Sequence, residues 1–202
     1  MKKLAIIGAS GHGKVVADIA EKNGYTEIVF LDDYATGECA GFPIVGTSRC
    51  IEEFSDFEFI VAIGNNKIRA GKLSLLPQDR IATLIHPSAV ISRRVIVNPG
   101  TVIMAGVVVN SDVTIGRGSI INTASSVDHD CIIGDFVHLS PGCHIAGNVK
   151  IGRDTWLGVG TTVINNINIE SSVTIGAGST VIKNLESNNT YIGTPAKELR
   201  KI

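Results

Sequence analysis

The sequence predicts a small α/β domain followed by a parallel β-solenoid, and three observations support this fold class. From Ile85 to Val181 an aliphatic residue recurs at every sixth position without interruption. Before Ile85, strand-like and helix-like segments alternate in the order β-α-β-α-β. Isoleucine and valine together account for 48 of the 202 residues, while aromatic residues make up only 5%, which is typical of a repetitive β core.

The first 84 residues have the pattern of a Rossmann-like domain. Apolar runs and apolar periodicity predict three strands, two helices and a glycine turn: strand Lys3–Ile7, turn Gly8–Gly13, helix Val15–Asn23, strand Glu27–Leu31, strand Phe59–Ile63 and a helix ending near Leu75. This order predicts a small parallel sheet whose ligand-binding loops follow the carboxyl ends of the strands.

Residues 85–202 are predicted to form a coil that turns a corner every six residues, followed by a C-terminal tail. Position i of each hexad is aliphatic, and position i+4, from Ala89 to Leu185, is mostly small or β-branched. Side chains two positions apart on a strand point to the same face, so both sets point inward. Glycine, asparagine and aspartate are frequent at i+1 to i+3, where the chain must turn. Three hexads then make one triangular coil of 18 residues; a β-sandwich is the alternative.

Composition excludes several classes of protein. With 18 basic and 19 acidic residues the net charge is −1, which gives no electrostatic footprint for nucleic acid or an anionic membrane. No apolar run is long enough to span a bilayer, so we expect no membrane span. The four cysteines form no CxxC pair, and we interpret them as free thiols of a cytoplasmic protein.

The motifs of both halves resemble those of a known family. The hexads are similar to those of the hexapeptide-repeat acyltransferases, which implies a left-handed parallel β-helix. More narrowly, the chain resembles the NeuD/PglD group of sugar acetyltransferases along nearly its full length. The motifs that carry this resemblance are Gly8-Ala9-Ser10-Gly11-His12-Gly13, Leu31-Asp32-Asp33, Ala62-Ile63-Gly64-Asn65-Asn66, His129-Asp130-Cys131-Ile132-Ile133-Gly134, Ala146-Gly147-Asn148-Val149-Lys150-Ile151-Gly152 and Gly193-Thr194-Pro195-Ala196-Lys197.

His129 and Asp130 are the candidate catalytic pair. They occupy i+2 and i+3 of a hexad and are therefore predicted at a corner, with small residues one coil away at Gly147 and Ser111. Histidine suits a general base at neutral pH, and a carboxylate can orient it and stabilise the imidazolium. A polar turn without catalytic function is the alternative. The resemblance implies that His129 is the base and Asp130 its helper, although PglD-like enzymes carry His-Glu at this point.

Acetyl-CoA is the cosubstrate that the resemblance implies, with contacts at His138, Gly147, Val159 and Ala177. The hexad register independently predicts that His138 and Trp156, 18 residues apart, face outward on one column. Two exposed rings on one column call for a ligand or a neighbouring subunit. His144 also faces outward, and we interpret it as structural.

Zinc is an alternative for the histidines, because some hexapeptide-repeat proteins are metal-dependent carbonic anhydrases. Such a site needs three histidines that converge. His129, His138 and His144 are 9 and 6 positions apart and fall on different sides of the predicted coil. We therefore expect no metal.

A glycine turn between the first strand and the first helix is a candidate phosphate site. Gly8, Gly11 and Gly13 deviate from the GxGxxG pattern, so a nucleotide sugar, NAD or a turn without a ligand all remain open. Asp32 ends the second strand, where dinucleotide folds bind a ribose. The resemblance implies that substrate contacts come from six residues: Ser10, Gly11, His12, Asp32, Asp33 and Gly64.

The resemblance implies an acetyl-CoA-dependent sugar acetyltransferase, and the intact nucleotide-binding half favours an N-acetyltransferase of a UDP-linked 4-amino-4,6-dideoxy sugar. The alternatives are an O-acetyltransferase of sialic acid or a polysaccharide sugar, and a non-catalytic scaffold that senses a nucleotide. The resemblance implies a homotrimer with sites between subunits. The outward i+5 positions support a permanent interface because they are unusually apolar: Val90, Ile96, Val102, Val108, Ile120, Ile132, His138 and Trp156.

Overall fold

The computed structural model describes residues 1–199, which begin with a five-stranded sheet flanked by two helices. The sheet order is β3-β4-β2-β1-β5; its strands are parallel except for β3, which is antiparallel to β4. In chain order the elements are β1 Lys2–Ile7, α1 Gly11–Lys22, β2 Tyr25–Leu31, β3 Gly37–Cys39, β4 Phe42–Gly46, a 3-10 helix Ile51–Glu53, β5 Glu58–Val61, α2 Asn66–Ser74 and a 3-10 helix Gln78–Arg80.

The β-α-β-α-β order predicted for this part is confirmed, with two differences. Helix α1 begins at Gly11, so the second half of the predicted glycine turn is the first turn of the helix. The β3–β4 hairpin was not predicted, because β3 has only three residues and β4 contains a proline, Pro43, which is rare inside a sheet.

From Leu84 onward the chain forms a triangular parallel β-helix of 17 two-residue strands, β6 to β22. We number its faces 1 to 3 in chain order. Face 1 contains β6 Leu84–Ile85, β9 Val102–Ile103, β12 Ile120–Ile121, β15 His138–Leu139, β18 Trp156–Leu157 and β21 Thr174–Ile175, and it continues into β23 Thr190–Ile192 and the antiparallel β24 Lys197–Glu198. Face 2 contains β7 Val90–Ile91, β10 Val108–Val109, β13 Ser126–Val127, β16 His144–Ile145, β19 Thr162–Val163 and β22 Thr180–Val181. Face 3 contains β8 Ile96–Val97, β11 Thr114–Ile115, β14 Ile132–Ile133, β17 Lys150–Ile151 and β20 Asn168–Ile169.

The predicted register is confirmed by the strand pairing. Each residue pairs with the residue 18 positions away, as Ile115, Ile133 and Ile151 do on face 3. The aliphatic side chains at position i fill the interior of the coil. At i+4, small side chains with hydroxyl or thiol groups interact with backbone carbonyls of the next coil from inside. Ser119 Oγ donates to the Gly134 carbonyl at 3.0 Å, and Cys131 Sγ lies 3.2 Å from the Ala146 carbonyl.

The corners depend on one left-handed residue per hexad. At every corner from Gly100 to Gly178, position i+3 has a φ between 56° and 80°. Glycine, aspartate and asparagine tolerate this conformation, which explains their frequency there. Phe136, with φ 57°, is the bulky exception. Its ring is buried against the core of the first domain.

The two parts of the chain share hydrophobic cores. Helix α1 packs between the five-stranded sheet and face 1, where Leu84, Val102 and Ile120 are buried. Helix α2 and the other side of the sheet enclose Phe136. Val102 and Ile120 are only 1% exposed, so the prediction that they belong to a free outward surface is wrong. The first domain of the same chain covers them.

The exposed outward positions lie on faces 2 and 3 and at the far end of face 1. Val90, Ile96, Val108 and Ile132 are between 38% and 64% exposed. Trp156 is 48% exposed.

We expect Ile133→Asp to unfold the β-helix. Ile133 is 1% exposed and stacked between aliphatic residues, so its carboxylate would be buried without a partner and cost more than about 4 kcal/mol. Lys150→Asp is the matched control, because Lys150 pairs with Ile132 on the same face, points outward and is exposed. Circular dichroism and thermal melting measure both variants. Equal tolerance of the two substitutions would contradict the register.

Candidate active site

A histidine and an aspartate meet at the corner between faces 2 and 3. His129 follows β13, and its Nδ1 lies 2.7 Å from Oδ2 of Asp130. Asp130 has a φ of 59°, and its backbone N–H donates to the Ser111 carbonyl of the preceding coil. The backbone N–H of His129 donates to Oδ1 of Asp128, which also accepts from Asn110 Nδ2. Asp130 thus orients the imidazole, while Asp128 fixes the backbone of His129.

The imidazole of His129 lies across Gly147 of the next coil. A Cβ at position 147 would lie 2.7 Å from Cε1 and 2.8 Å from Nε2 of His129. A side chain larger than hydrogen at position 147 would therefore collide with the imidazole, which explains the glycine one coil away from His129. The side chain of His129 is 58% exposed, so Nε2 is open to a reactant.

Charges at this corner favour the imidazolium. The hydrogen bond to Asp130, with a further contribution from the charge of Asp128, raises the pKa of His129 above the ordinary 6.5. The pKa of Asp128 is lowered, mainly by its hydrogen bond from Asn110. A histidine with this arrangement can accept a proton near neutral pH and share the resulting charge with Asp130.

His138 lies on face 1, at the boundary with the first domain. The column predicted for His138 and Trp156 is confirmed: the two residues pair across β15 and β18, with ring centroids 6.3 Å apart. His138 is not an exposed ring, however. Gly64 of the same chain lies against it, and a Cβ at Gly64 would be 3.9 Å from its Cε1. Burial, together with the charges of Arg69 and His12, lowers the pKa of His138 to about 4.

A cleft of about 630 Å³ opens beside His138, between helix α2 and face 1. The first domain contributes the start of α2 and the loop before it, and the β-helix contributes one corner and the outward residues of its last coils. The lining residues are Gly64, Asn65, Asn66, Lys67, His138, Asp154, Trp156, Ser172, Thr174 and Asn188.

A second pocket, of about 300 Å³, lies at the carboxyl ends of the strands in the first domain. Four of the six predicted substrate contacts are among its lining residues: Ser10, Asp32, Asp33 and Gly64. Gly8 has a φ of 111°, and a Cβ at Gly13 would overlap the Gly8 carbonyl oxygen. Both glycines are needed for the strand and helix to meet closely here. Gly11 opens α1 beside this pocket.

Another predicted contact, His12, is partly buried in the first turn of α1 and does not line the pocket. Burial, assisted by the charge of Arg69, lowers its pKa to about 4. Its Nε2 has no hydrogen-bond partner within residues 1–199.

Asp32 and Asp33 are held by the protein itself. Oδ1 of Asp32 accepts the backbone N–H groups of Tyr34 and Ala35 at 2.9 Å, and its Oδ2 accepts that of Ala9 at 2.7 Å. Asp33 accepts from the backbone and hydroxyl of Ser48 and pairs with Lys72, and these contacts lower its pKa to about 2. Both carboxylates therefore stabilise the loops that form this pocket.

The predicted acetyl-CoA contacts do not meet in one chain. Gly147 lies under His129 at the corner between faces 2 and 3. Val159 and Ala177 stack on one another at the corner between faces 1 and 2, where the Gly178 N–H donates to the Val159 carbonyl. His138 lies in the cleft of face 1.

Sequence reasoning missed Arg69 and Asn66, which join the two domains. Asn66 Nδ2 donates to the backbone carbonyls of Asp154 and Thr155, and Arg69 is 1% exposed. One signal was available: Arg69 precedes Leu73 by four residues and therefore occupies the buried face of α2. A charged residue on an apolar helix face points to a specific partner.

Within residues 1–199, no group of three or more histidine, cysteine or acidic side chains could hold a metal ion. No helix in the same range is long and apolar enough to cross a membrane.

Comparisons with known proteins match both halves of the chain. The family model of the PglD N-terminal domain matches residues 3–74. UDP-N-acetylbacillosamine N-acetyltransferase of Bacillus subtilis (strain 168) is 37% identical over 109 residues, so the match spans half of this chain and half of that curated relative.

Solved structures match over the whole length. The acetyltransferase domain of PglB from Neisseria gonorrhoeae FA1090, in complex with acetyl coenzyme A, is 41% identical with a TM-score of 0.94, covering 98% of this chain and 99% of that one. A His→Asn mutant of perosamine N-acetyltransferase from Caulobacter crescentus, in complex with CoA and GDP-perosamine, is 35% identical with a TM-score of 0.93, covering 100% and 98%.

The comparisons confirm the predicted fold class, a Rossmann-like domain followed by a left-handed parallel β-helix. They also agree with the motifs of both halves and with the full-length resemblance. The chain belongs to the NeuD/PglD-type family of sugar acetyltransferases.

Proposed function

We propose that this protein transfers the acetyl group of acetyl-CoA to the amine of a nucleotide-linked amino sugar, with a UDP-linked 4-amino-4,6-dideoxy sugar as the favoured acceptor. The observation that carries the proposal is the His129–Asp130 pair, open to solvent above Gly147. It supplies the base that such a transfer needs, in a chain whose full-length relatives have been solved with acetyl coenzyme A or with CoA and GDP-perosamine.

In the proposed reaction His129 acts through Nε2. Its Nδ1–H donates to Asp130, which leaves the lone pair of Nε2 free. The sugar amine attacks the thioester carbonyl carbon while Nε2 takes a proton from the amine. The tetrahedral intermediate then breaks its C–S bond, and the CoA sulfur leaves with the proton that His129 returns. The products are the acetamido sugar and CoA thiol.

The attack is direct, without an acetyl-enzyme intermediate. Cys131 follows the catalytic pair, but its side chain is buried inside the coil. Burial raises the pKa of this thiol, which opposes formation of a nucleophilic thiolate. Its hydrogen-bonding distance to the Ala146 carbonyl supports a structural role instead.

On the acceptor side, the proposal uses the pocket of the first domain. The first turn of α1 begins at Gly11 with unpaired backbone N–H groups, which favour a diphosphate near Ser10 and His12. The nucleoside would lie along Asp32 and Asp33, where Oδ2 of Asp32 keeps capacity for one more donor because it accepts only from Ala9. The sugar would extend past Gly64 toward the cleft of His138, since Gly64 lines both cavities.

A GDP-linked amino sugar is the second candidate acceptor. It is favoured by the match to the Caulobacter crescentus enzyme, which is bound to GDP-perosamine and covers the whole of this chain. UDP is favoured by the Bacillus subtilis relative, which has the higher identity of the two but matches only half the chain. An O-acetyltransferase of sialic acid or a polysaccharide sugar remains the enzymatic alternative; it need not bind a nucleotide.

We further propose that the working site forms between subunits of a homotrimer. His129 lies at the corner between faces 2 and 3, whereas His138 and both cavities lie on face 1 and the first domain. A neighbouring copy could bring its His129 corner to the cleft. Exposed Val90, Ile96, Val108 and Ile132 on faces 2 and 3 supply apolar surface for such contacts.

The acceptor is identified by mass spectrometry of acetyl-CoA incubated with the protein and a panel of UDP- and GDP-linked 4-amino sugars and sialic acid. We expect an acetylated UDP-linked product. His129→Ala should lower turnover by a factor of about 100 or more, because a general base supplies about that much. Its circular dichroism should not change, since the side chain is outside the core.

Other results of this panel are equally decisive. Product from GDP-linked sugars alone would establish the second candidate. Product from sialic acid would establish the O-acetyltransferase. Nucleotide binding without any product would indicate a scaffold, and normal turnover by folded His129→Ala protein would exclude His129 as the base.

The titration of His129 tests its link to Asp130. Because Asp130 raises the pKa of His129, activity should fall with decreasing pH from above 6.5, where the base becomes protonated. Asp130→Asn should move both the NMR titration midpoint and this loss of activity to lower pH; asparagine tolerates the positive φ. Asp112→Asn is the matched control, one coil below with a φ of 62°. An unchanged midpoint in Asp130→Asn would refute the pairing.

Shared sites can be tested with mixed assemblies of two inactive variants. Light scattering should give about three times the 21.3 kDa chain mass. If His129 and His138 of one site come from different chains, co-expressed His129→Ala and His138→Ala chains should recover about a quarter of wild-type activity. A site within one chain would recover none. An active monomer would refute the trimer as well.

A further inference from the structure

Arg69 is a buried cation that joins three parts of the molecule. Each of its nitrogens donates to an oxygen: Nε to the Gly118 carbonyl at 2.6 Å, Nη1 to the Ile63 and Gly64 carbonyls at 2.9 and 3.0 Å, and Nη2 to the Phe136 carbonyl and Asn66 Oδ1 at 2.9 Å. These five bonds connect α2, the Ile63–Gly64 loop and the corner between faces 3 and 1. No other side chain type could make them, because only a guanidinium offers five donors.

The charge of Arg69 has no carboxylate within its own hydrogen bonds. All five acceptors are carbonyl or amide oxygens. Asp154 supplies the nearest opposing charge, but its Oδ2 pairs with Arg153 and its Oδ1 has no hydrogen-bond partner within residues 1–199. Burial lowers the pKa of Arg69 to about 10, so it stays protonated at neutral pH. The positive charge therefore acts on its surroundings with little screening.

Two histidines lie in the field of this charge. His12 comes from the first turn of α1, and His138 comes from β15 on face 1. Gly64, whose carbonyl Arg69 holds, is in contact with the ring of His138. A displacement of the Ile63–Gly64 loop would therefore move the wall of the cleft as well as the pocket of the first domain, since Gly64 lines both.

We propose that Arg69 is a positioning residue for acetyl transfer: its five hydrogen bonds clamp the Ile63–Asn66 segment to the β-helix and so hold Gly64 against the ring of His138. The proposal rests on the function proposed above. Burial lowers the pKa of both imidazoles and the charge of Arg69 adds to this effect, so that His129 is the one histidine of the site that titrates near neutral pH. The acidic loss of activity then follows a single protonation.

Other groups facing His138 do not reverse this effect. Across the cleft lie Lys67 of α2 and Asp154 of the corner, while Trp156 stacks on the ring and Asn122 lies 3.5 Å from Nε2. Burial is the largest cause of the lowered pKa of His138, and Arg69 is the larger of the two charges that add to it. Removing Arg69 should therefore raise the titration midpoint without restoring it fully to 6.5.

The test is an NMR titration of histidine-labelled protein, independent of activity. The five histidines are assigned with single His→Gln variants. In the wild type, His12 and His138 should titrate near 4, and in Arg69→Met both midpoints should rise. Arg69→Lys keeps the positive charge but loses the five donors of the guanidinium, so the midpoints of His12 and His138 should stay low in this variant. Arg80→Met is the matched control: Arg80 donates to the Phe54 carbonyl, and its removal should leave both midpoints unchanged.

Kinetics then separate positioning from a merely structural role. The kcat of both Arg69 variants should fall about tenfold or more, because the Ile63–Asn66 segment would no longer be held in place and small misplacements of reacting groups slow catalysis strongly. Only Arg69→Met should also show a second protonation in the acidic part of its pH profile, and Arg80→Met should keep the wild-type profile. If the wild type acetylates no sugar, the proposed function fails, while the titration still decides the role of the charge.

Three results would overturn the proposal. The first is a wild-type midpoint near 6.5 for either His12 or His138. The second is an unchanged midpoint for both in folded Arg69→Met protein. The third is wild-type kcat in folded Arg69→Lys or Arg69→Met protein. Should Arg69→Met fail to fold, the wild-type midpoints and the Arg69→Lys kinetics decide.

Discussion

The stacking of 18-residue coils is the constraint on which the rest of this structure depends. Each backbone segment hydrogen-bonds to the segments one coil before and after it, so every residue has fixed neighbours. This places Gly147 under His129 and Trp156 beside His138. One residue per corner adopts the left-handed conformation and turns the chain into the next face, and Asp130 is such a residue. Asp130, the proposed helper of His129, is therefore part of the turn that forms the corner.

The docking of the first domain determines which faces of the β-helix remain available. Apolar residues of face 1 complete the core under α1, and Phe136 fills the core beside α2. Polar bonds fix the angle of docking, since Arg69 and Asn66 donate to backbone carbonyls at the corner rather than to flexible side chains. The cleft of His138 exists because these contacts hold α2 above face 1. Faces 2 and 3 keep their exposed aliphatic residues.

This arrangement separates two kinds of electrostatic environment. His129 is exposed and surrounded by carboxylates, which favour its proton. His12 and His138 are partly buried, and burial together with the charge of Arg69 disfavours theirs. The pKa values of three histidines are thus shifted in opposite directions by their positions alone. Such a separation is useful for a proposed reaction in which one imidazole must exchange a proton while the others stay neutral.

The sequence by itself determined the repeat, its register and the corner position of His129 and Asp130, because a period of six in a stacked coil leaves no freedom in which residues become neighbours. It also determined the β-α-β-α-β order of the first domain, since apolar runs and glycine turns are local signals. Only the tertiary structure decided that Val102, Ile120 and His138 lie under the first domain and that Arg69 joins both parts. Those facts depend on how two separately patterned surfaces dock, and that angle is fixed by hydrogen bonds between residues 49 to 89 positions apart, which no local pattern encodes.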